Sequence, residues 1–442
     1  MMRLALVLAG LCLFAAGAAR AEQRAWVELT KTGAQVRVAT SDAHCPAVAI
    51  DGRSTEMQVR AAPDANFALT QCQLDVPAAA HEASLAGQSL PLPKGPPRRI
   101  LIFGDTGCRL KGDAVQDCND PKAWPFAEVI RHASERKPDL VIHVGDYYYR
   151  ETPCPPLDKG CAGSPYGDKW PTWRTEFFDP ARPLLTTTPW VFVRGNHESC
   201  SRGAKGWFRM LDAGSKPLSC PATSAPFTVD LGGLNLYILD SADADDRGAT
   251  SEGVANFAGQ VDALHLASAK QPGWIVTHRP IWAVTPLGRV WPFDPVETDL
   301  NQTEQSAVRG RDLSSVQMIV SGHVHHFAAY DFLGKRPSQL VAGTGGDVGE
   351  TGDIPRIRQG PIKLDGVSGE RLTFDRFGYL ILDRAGPDWV GAFWDLHDHV
   401  VAACRLHERQ LSCEPAAASR LGSLTDGRRS TQAALDKARN RL

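Results

Sequence analysis

The chain has almost no net charge: 48 Lys and Arg face 50 Asp and Glu, leaving −2 at pH 7. That balance gives no electrostatic footing for nucleic acid or for an anionic membrane. None of its cysteines are spaced Cys-x-x-Cys, so the grammar of a structural zinc cluster is missing. No long low-complexity tract and no internal repeat are present, which argues against a disordered polymer or a solenoid. Beyond the first residues no run is apolar enough to span a bilayer, for which about 20 residues are needed.

The first residues differ. Arg3 is a short positive start, Leu4 to Ala16 carries no charge, and Ala19-Arg20-Ala21 has the small-x-small form of a cleavage site. This predicts a leader over 1–21 with the mature chain starting at Glu22. The apolar run is shorter than a spanning helix, and Cys12 lacks a lipid-attachment context. The expectation is a periplasmic or secreted protein with no stable membrane association. Eleven cysteines become ten after cleavage, in neighbouring pairs: Cys45 and Cys72, Cys108 and Cys118, Cys154 and Cys161, Cys200 and Cys220, Cys404 and Cys413. Spacing does not fix a connectivity, yet an even count in local pairs suits disulfides in an oxidising compartment.

What remains is globular: 442 residues, 43% hydrophobic and 22% charged, enough for a large core and about two or three domains. Residues 22–97 hold short alternating segments such as Trp26-Val27-Glu28-Leu29 and Gln35-Val36-Arg37-Val38. They read as a small β domain, closed by the stiff linker Pro91-Leu92-Pro93-Lys94-Gly95-Pro96-Pro97. Residues 98–414 alternate apolar strands with helical patterns, the clearest helix lying between Pro121 and Lys137, which predicts an α/β core. The last stretch, 415–442, is Arg- and Ala-rich and reads as a basic, solvated tail.

Five apolar strands of the 98–414 region run directly into metal-capable residues: Asp105, then Asp146 with Tyr149, then Asn196, then His278, then His323 with His325. The carboxyl ends of strands are where open α/β sheets place their chemistry. Asp146 follows Leu140-Val141-Ile142-His143-Val144 through Gly145, and one carboxylate can bridge two cations. Any one of these residues has a structural explanation, such as a turn aspartate or a packed histidine. Five strand ends of the same kind satisfy the chemical checklist for a site.

The motifs Gly-Asp-x-Gly, Gly-Asp-x-x-Tyr, Gly-Asn-His-Glu, x-x-x-His and Gly-His-x-His, in that order over about residues 98–350, resemble the calcineurin-like metallophosphoesterases, and within them the purple acid phosphatases. The broad family begins with Asp-x-His, whose His is a ligand; here Gly107 stands in that place. Purple acid phosphatases make the same departure and supply the Tyr of Gly-Asp-x-x-Tyr, here Tyr149. The resemblance implies a β-sandwich core flanked by helices, layered α/β/β/α. It implies two metals, one held by Asp105, Asp146, Tyr149 and His325, the other by Asp146, Asn196, His278 and His323. An oxygen set with phenolate favours Fe(III) in the first; the mixed Asn and His set suits Fe(II), Zn or Mn in the second. Two cations about 3.5–4 Å apart can bind a hydroxide and align an in-line attack on phosphorus.

His197 is expected to stabilise charge or to donate a proton to the leaving oxygen, with Glu198 orienting or capping. His326 and Arg279, beside ligands, either touch phosphate or prop the loop, and Tyr147 and Tyr148 either pack or wall the pocket. The expected activity is hydrolysis of phosphate monoesters on a phosphorylated small molecule. A phosphodiesterase or nucleotidase on the same metals is the alternative, and a silent phospho-ligand-binding protein a third.

Overall fold

The computed structural model describes residues 22–214, 220–286, 297–348 and 357–416. The expected leader and all but the first two residues of the expected tail lie outside the described residues.

Short buried strands form the centre of two facing sheets. Arg99–Phe103, Leu140–His143 and Trp190–Phe192 lie side by side and parallel in an eleven-stranded sheet. Beside Arg99–Phe103 the chain returns antiparallel as Gly378–Ala385, then meanders through Asp388–Asp395, Val400–His407 and Gln410–Pro415. In the second, eight-stranded sheet, Asn235–Ile238, Gly273–Val276, Val316–Ser321 and Ser338–Ala342 are parallel.

The period of two in these strands builds the layers. Ile100, Ile102, Ile142 and Val191 meet Leu236, Trp274, Val276, Met318 and Val320 between the sheets. Their neighbours Leu101, Phe103, Val141 and Trp190 point the other way, into Phe126, Val129, Ile130 and Phe177 of the covering helices. On the far side Ile275, Ile319 and Val341 pack on Phe257, Val261 and Ala307 of the helices Ser251–Ala263 and Gln302–Val308. Strands buried on both faces read as unbroken apolar runs for this reason. The layering is α/β/β/α, as expected. The helix expected after Pro121 runs Phe126–Glu135, directly behind Pro125, with its buried residues spaced for one helical face.

The N-terminal region is β, as read, and it continues the core sheet. Gln23–Thr30 pairs parallel with Trp190–Phe192, Glu28 opposite Trp190. Gly33–Thr40, Thr70–Asp75 and Gln58–Ala61 then extend that edge. A pairing between residues so far apart in sequence leaves no local trace. Four small strands, Ala47–Ile50, Arg53–Glu56, Ala83–Leu85 and Gln88–Leu90, form a separate sheet, with Val48, Ile50 and Leu85 packed on Val27, Val36 and Val38.

All five neighbouring cysteine pairs are disulfides. Three of them close loops that leave the carboxyl ends of the core strands: Cys108–Cys118, Cys154–Cys161 and Cys200–Cys220. Among the described residues, no helix is long and apolar enough to cross a membrane.

Candidate metal centre

Because the central strands of both sheets are parallel, their carboxyl ends open on one side of the sandwich, and the loops there interlock. Asp105 N–H donates to Gly145 O at 2.9 Å and Thr106 N–H to Asp146 O at 3.0 Å, which joins the first two loops. Across the sheets, His278 Nδ1 lies 2.8 Å from Val144 O, and His323 N–H donates to Asp105 Oδ2 at 3.1 Å. Asp105, Asp146 and His323 all have positive φ, at 57°, 59° and 69°. Non-glycine residues hold such angles at a cost of about 1–3 kcal/mol, and they collect at functional sites.

The seven residues singled out as ligands converge in two groups that share Asp146. In the first, Tyr149 Oη donates to Asp146 Oδ2 at 2.9 Å and lies 3.2 Å from Asp105 Oδ1 and 3.0 Å from His325 Nε2. In the second, His278 Nε2 is 3.1 Å from Asp146 Oδ2, and Asn196 Oδ1 is 2.9 Å from both His278 Nε2 and His323 Nδ1. The carboxylate and imidazole atoms of Asp105, Asp146 and His325, and those of Asp146, His278 and His323, each lie within 4.8 Å of one another.

The electrostatics of these groups call for cations. Two carboxylates and a phenol converge where water is excluded. Burial first, then the charges of Asp146 and Asp105, hold the Tyr149 phenol well above its ordinary value. Burial opposes a charged His278, yet the Asp146 carboxylate beside it pushes its pKa up to about 9. Oxygen-rich donors in the first group and nitrogen-rich donors in the second fit a harder and a softer ion.

Each imidazole is aimed by its other nitrogen, the usual device for fixing a ligand's tautomer. His278 has Val144 O. His325 Nδ1 lies 2.9 Å from Val348 O and 3.2 Å from Asp347 Oδ2. His323 Nε2 lies 3.0 Å from Asp246, which also pairs with Arg279. Sequence reading does not single out Asp246 or Asp347. Asp347 ends Gly343-Thr344-Gly345-Gly346-Asp347 behind the strand Ser338–Ala342, the same apolar-strand-then-Gly-Asp pattern that marks Asp105 and Asp146, and that signal was there to be used.

Two buried glutamates hold the ligand loops by their backbone. Glu198 accepts N–H bonds from Gly195, Asp146, Tyr147 and Tyr148 at 2.9–3.1 Å. Burial, then the charge of Asp146, raise its pKa, and the N–H groups of Tyr147 and Tyr148 pull the other way. Glu176 accepts from Cys108 N–H at 2.8 Å and Tyr149 N–H at 3.1 Å, tying the first loop to the second. It sits on a π-helical turn, Arg174–Phe178, a form of helix that recurs at functional sites and that sequence reading does not resolve.

His197 is not among the converging ligand atoms. Its N–H donates to Asp146 Oδ1 at 2.8 Å, its ring centre lies 3.7 Å from that of Tyr149 with the planes tilted by 30°, and its Nε2 is 3.9 Å from Asp146 Oδ2. Glu151 and Arg202 flank the ring, with Glu151 Oε1 3.1 Å from Nδ1 and Arg202 Nη2 2.7 Å from Nε2. Burial pulls the His197 pKa down against the pull of Asp146 and Glu151. Arg279 Nη1 lies 2.8 Å from His323 Nε2, on the outer side of that ring. His326 is buried in the same turn, its N–H on Val324 O at 2.7 Å. Tyr147 and Tyr148 are buried in the aromatic core beneath the loop.

A family model described as calcineurin-like phosphoesterase matches residues 98–327, more than half of the chain. No curated protein matches. Among solved structures, the chain is similar to purple acid phosphatase PPD1 from yellow lupin, Lupinus luteus, at 13% identity over 89% of this chain and 74% of that one, TM-score 0.53. It is also similar to the structure of PhoD, at 12% identity over 95% and 97%, TM-score 0.54. At such identities these two likenesses speak for the fold.

Proposed function

Since the chain belongs to the calcineurin-like phosphoesterase family and so is a phosphoric ester hydrolase, we propose that it is an exported phosphatase that hydrolyses phosphate monoesters at a two-metal centre. One observation carries this reading: Asp146 Oδ2 serves both donor groups, 2.9 Å from Tyr149 Oη and 3.1 Å from His278 Nε2.

We assign Asp105, Asp146, Tyr149 and His325 to a ferric ion, and Asp146, Asn196, His278 and His323 to a divalent one. Such a pair, when bound, supplies charge to neutralise phosphoryl oxygens and to acidify water. The chain's own groups do the rest. His197, packed on the Tyr149 ring and braced by Glu151, presents an imidazole edge beside the shared carboxylate for the leaving oxygen. Arg202, beside that edge, adds a fixed positive charge where a phosphoryl group's negative charge has to be balanced. His326 and Arg279 prop the two-histidine turn, Arg279 through Asp246. A phosphorylated small molecule is the substrate class. The five disulfides and the leader-like residues 1–21 support export.

The test is metal analysis of purified protein together with rates on a phosphate monoester and a diester. Two metals per chain and faster monoester turnover are expected. One metal per chain, or a diester preference, would overturn the proposal.

A further inference from the structure

We infer that the N-terminal β region positions the metal centre: Arg37 and Arg60 grip the carboxyl end of the helix Ala204–Met210 and so set the loop that presents Asn196 and His197. Naming Asn196 a ligand rests on the function proposed above; the grip does not.

Arg37, on Gly33–Thr40, and Arg60, on Gln58–Ala61, are 1% and 6% exposed. The last carbonyls of a helix have no partner within it and carry its negative end. Here the two guanidiniums take them. Arg60 donates to Phe208 O at 2.8 Å and to Arg209 O at 3.0 Å, and Arg37 to Met210 O at 3.2 Å. Both donate to Asp212 O, at 2.8 and 3.0 Å, and Arg60 reaches Gly214 O as well. Glu28 and Asp212 balance the buried charge, with Glu28 Oε1 2.5 Å from Arg37 and Asp212 Oδ2 3.4 Å from Arg60. Charges so far from water persist only with this quality of geometry. Beyond the N-terminal region, the hydrogen bonds of both guanidiniums fall on one segment, 208–214.

The other end of the same helix reaches the centre. Trp207 N–H donates to Gly203 O at 3.2 Å, and Gly203 N–H to His197 O at 2.9 Å. Arg202 Nη1 donates to Asn196 O at 3.2 Å. A helix of two turns is stiff and about 10 Å long, so a shift at Met210 arrives at Gly203 undiminished. Arg37 and Arg60 are therefore positioning residues for Asn196 and His197, acting through a helix whose leading residues, Arg202 and Gly203, bond to both.

Amide hydrogen exchange on the metal-free full chain tests this, comparing wild type with Arg60→Met and Arg60→Lys. Lysine keeps the charge but not the two-pronged donor geometry, and its exchange pattern decides the matter if the Met variant does not fold. Peptides across 196–210 are expected to exchange faster in both, by roughly tenfold in the Met variant, while the strands Arg99–Phe103 and Val316–Ser321 keep wild-type rates. Added Zn is then expected to be held about 10–100-fold more weakly. Unchanged exchange over 196–210, or equal acceleration everywhere, would overturn the positioning role. If wild type holds no metal at all, the metal assignment falls while the exchange result still decides the grip.

Discussion

A Cβ placed on Gly107 would lie 2.4 Å from Cδ2 of Tyr149 and 2.7 Å from Oε1 of Glu176. The missing histidine of one loop and the tyrosine of another are thus a single steric fact. The Tyr149 ring occupies the space a side chain at 107 needs, and its hydroxyl reaches Asp105 and Asp146 from there. Restoring a side chain at 107 expels the ring, so the exchange cannot be undone one residue at a time.

If Tyr149 binds a ferric ion, iron-loaded protein absorbs in the visible through phenolate-to-iron charge transfer. Tyr149→Phe is expected to be colourless, with kcat/KM lowered at least about 100-fold, about 2.7 kcal/mol of lost transition-state stabilisation. Gly107→Ala should shift the ring and reduce both band and rate. A colourless wild type with full iron occupancy excludes Tyr149 as a ferric ligand.

Asp146→Asn removes the oxygen that both donor groups share. Metal content should fall at both sites and kcat/KM by about 1,000-fold or more, whereas His323→Ala should empty one site alone. Metal-to-protein ratios after gel filtration separate the two outcomes, and near-wild-type rates in either variant defeat the two-metal assignment.

Glu198→Gln turns an amide –NH2 toward backbone N–H groups that now meet a carboxylate. The loss of charged hydrogen bonds and the resulting N–H to N–H contact should cost about 2–4 kcal/mol in urea unfolding. Glu176→Gln should cost less, because fewer N–H groups face it. Equal stability for wild type and Glu198→Gln would mean the four amides do not hold this loop.

Glu304 is fully buried on the helix Gln302–Val308, and burial pushes its pKa up to about 8. Its folded value lies above its unfolded one, so the neutral form suits the fold. That contribution is complete below about pH 4.3 and is lost as pH rises through about 8. Glu304→Gln should therefore gain stability over wild type as pH rises, by at most about 1.4 kcal/mol per pH unit. Parallel urea midpoints for both proteins from pH 5 to 9 would show that Glu304 does not titrate in this window.

Asp105, Asp146, Asn196, His278 and His323 could be picked out from the chain because each follows its strand within a few residues. A buried strand writes an apolar run, and the turn that ends it must place a polar group at the sheet's carboxyl edge. Asp347 obeys the same rule. Glu176, Asp246 and Arg202 do not, because each reaches the site from a helix or loop whose local pattern says nothing about what it faces.

The succession of strands and helices and the burial of their faces thus follow from local periodicity, since burial on one face or two dictates which residue types recur, while the donor sets follow from the family resemblance of the strand-end motifs. The meeting of Gln23–Thr30 with Trp190–Phe192, of Tyr149 with the space above Gly107, and of Arg60 with the end of a helix nearly 150 residues away belongs to folding alone. Such contacts are set by packing and hydrogen-bond demand in three dimensions, and linear spacing carries no record of them.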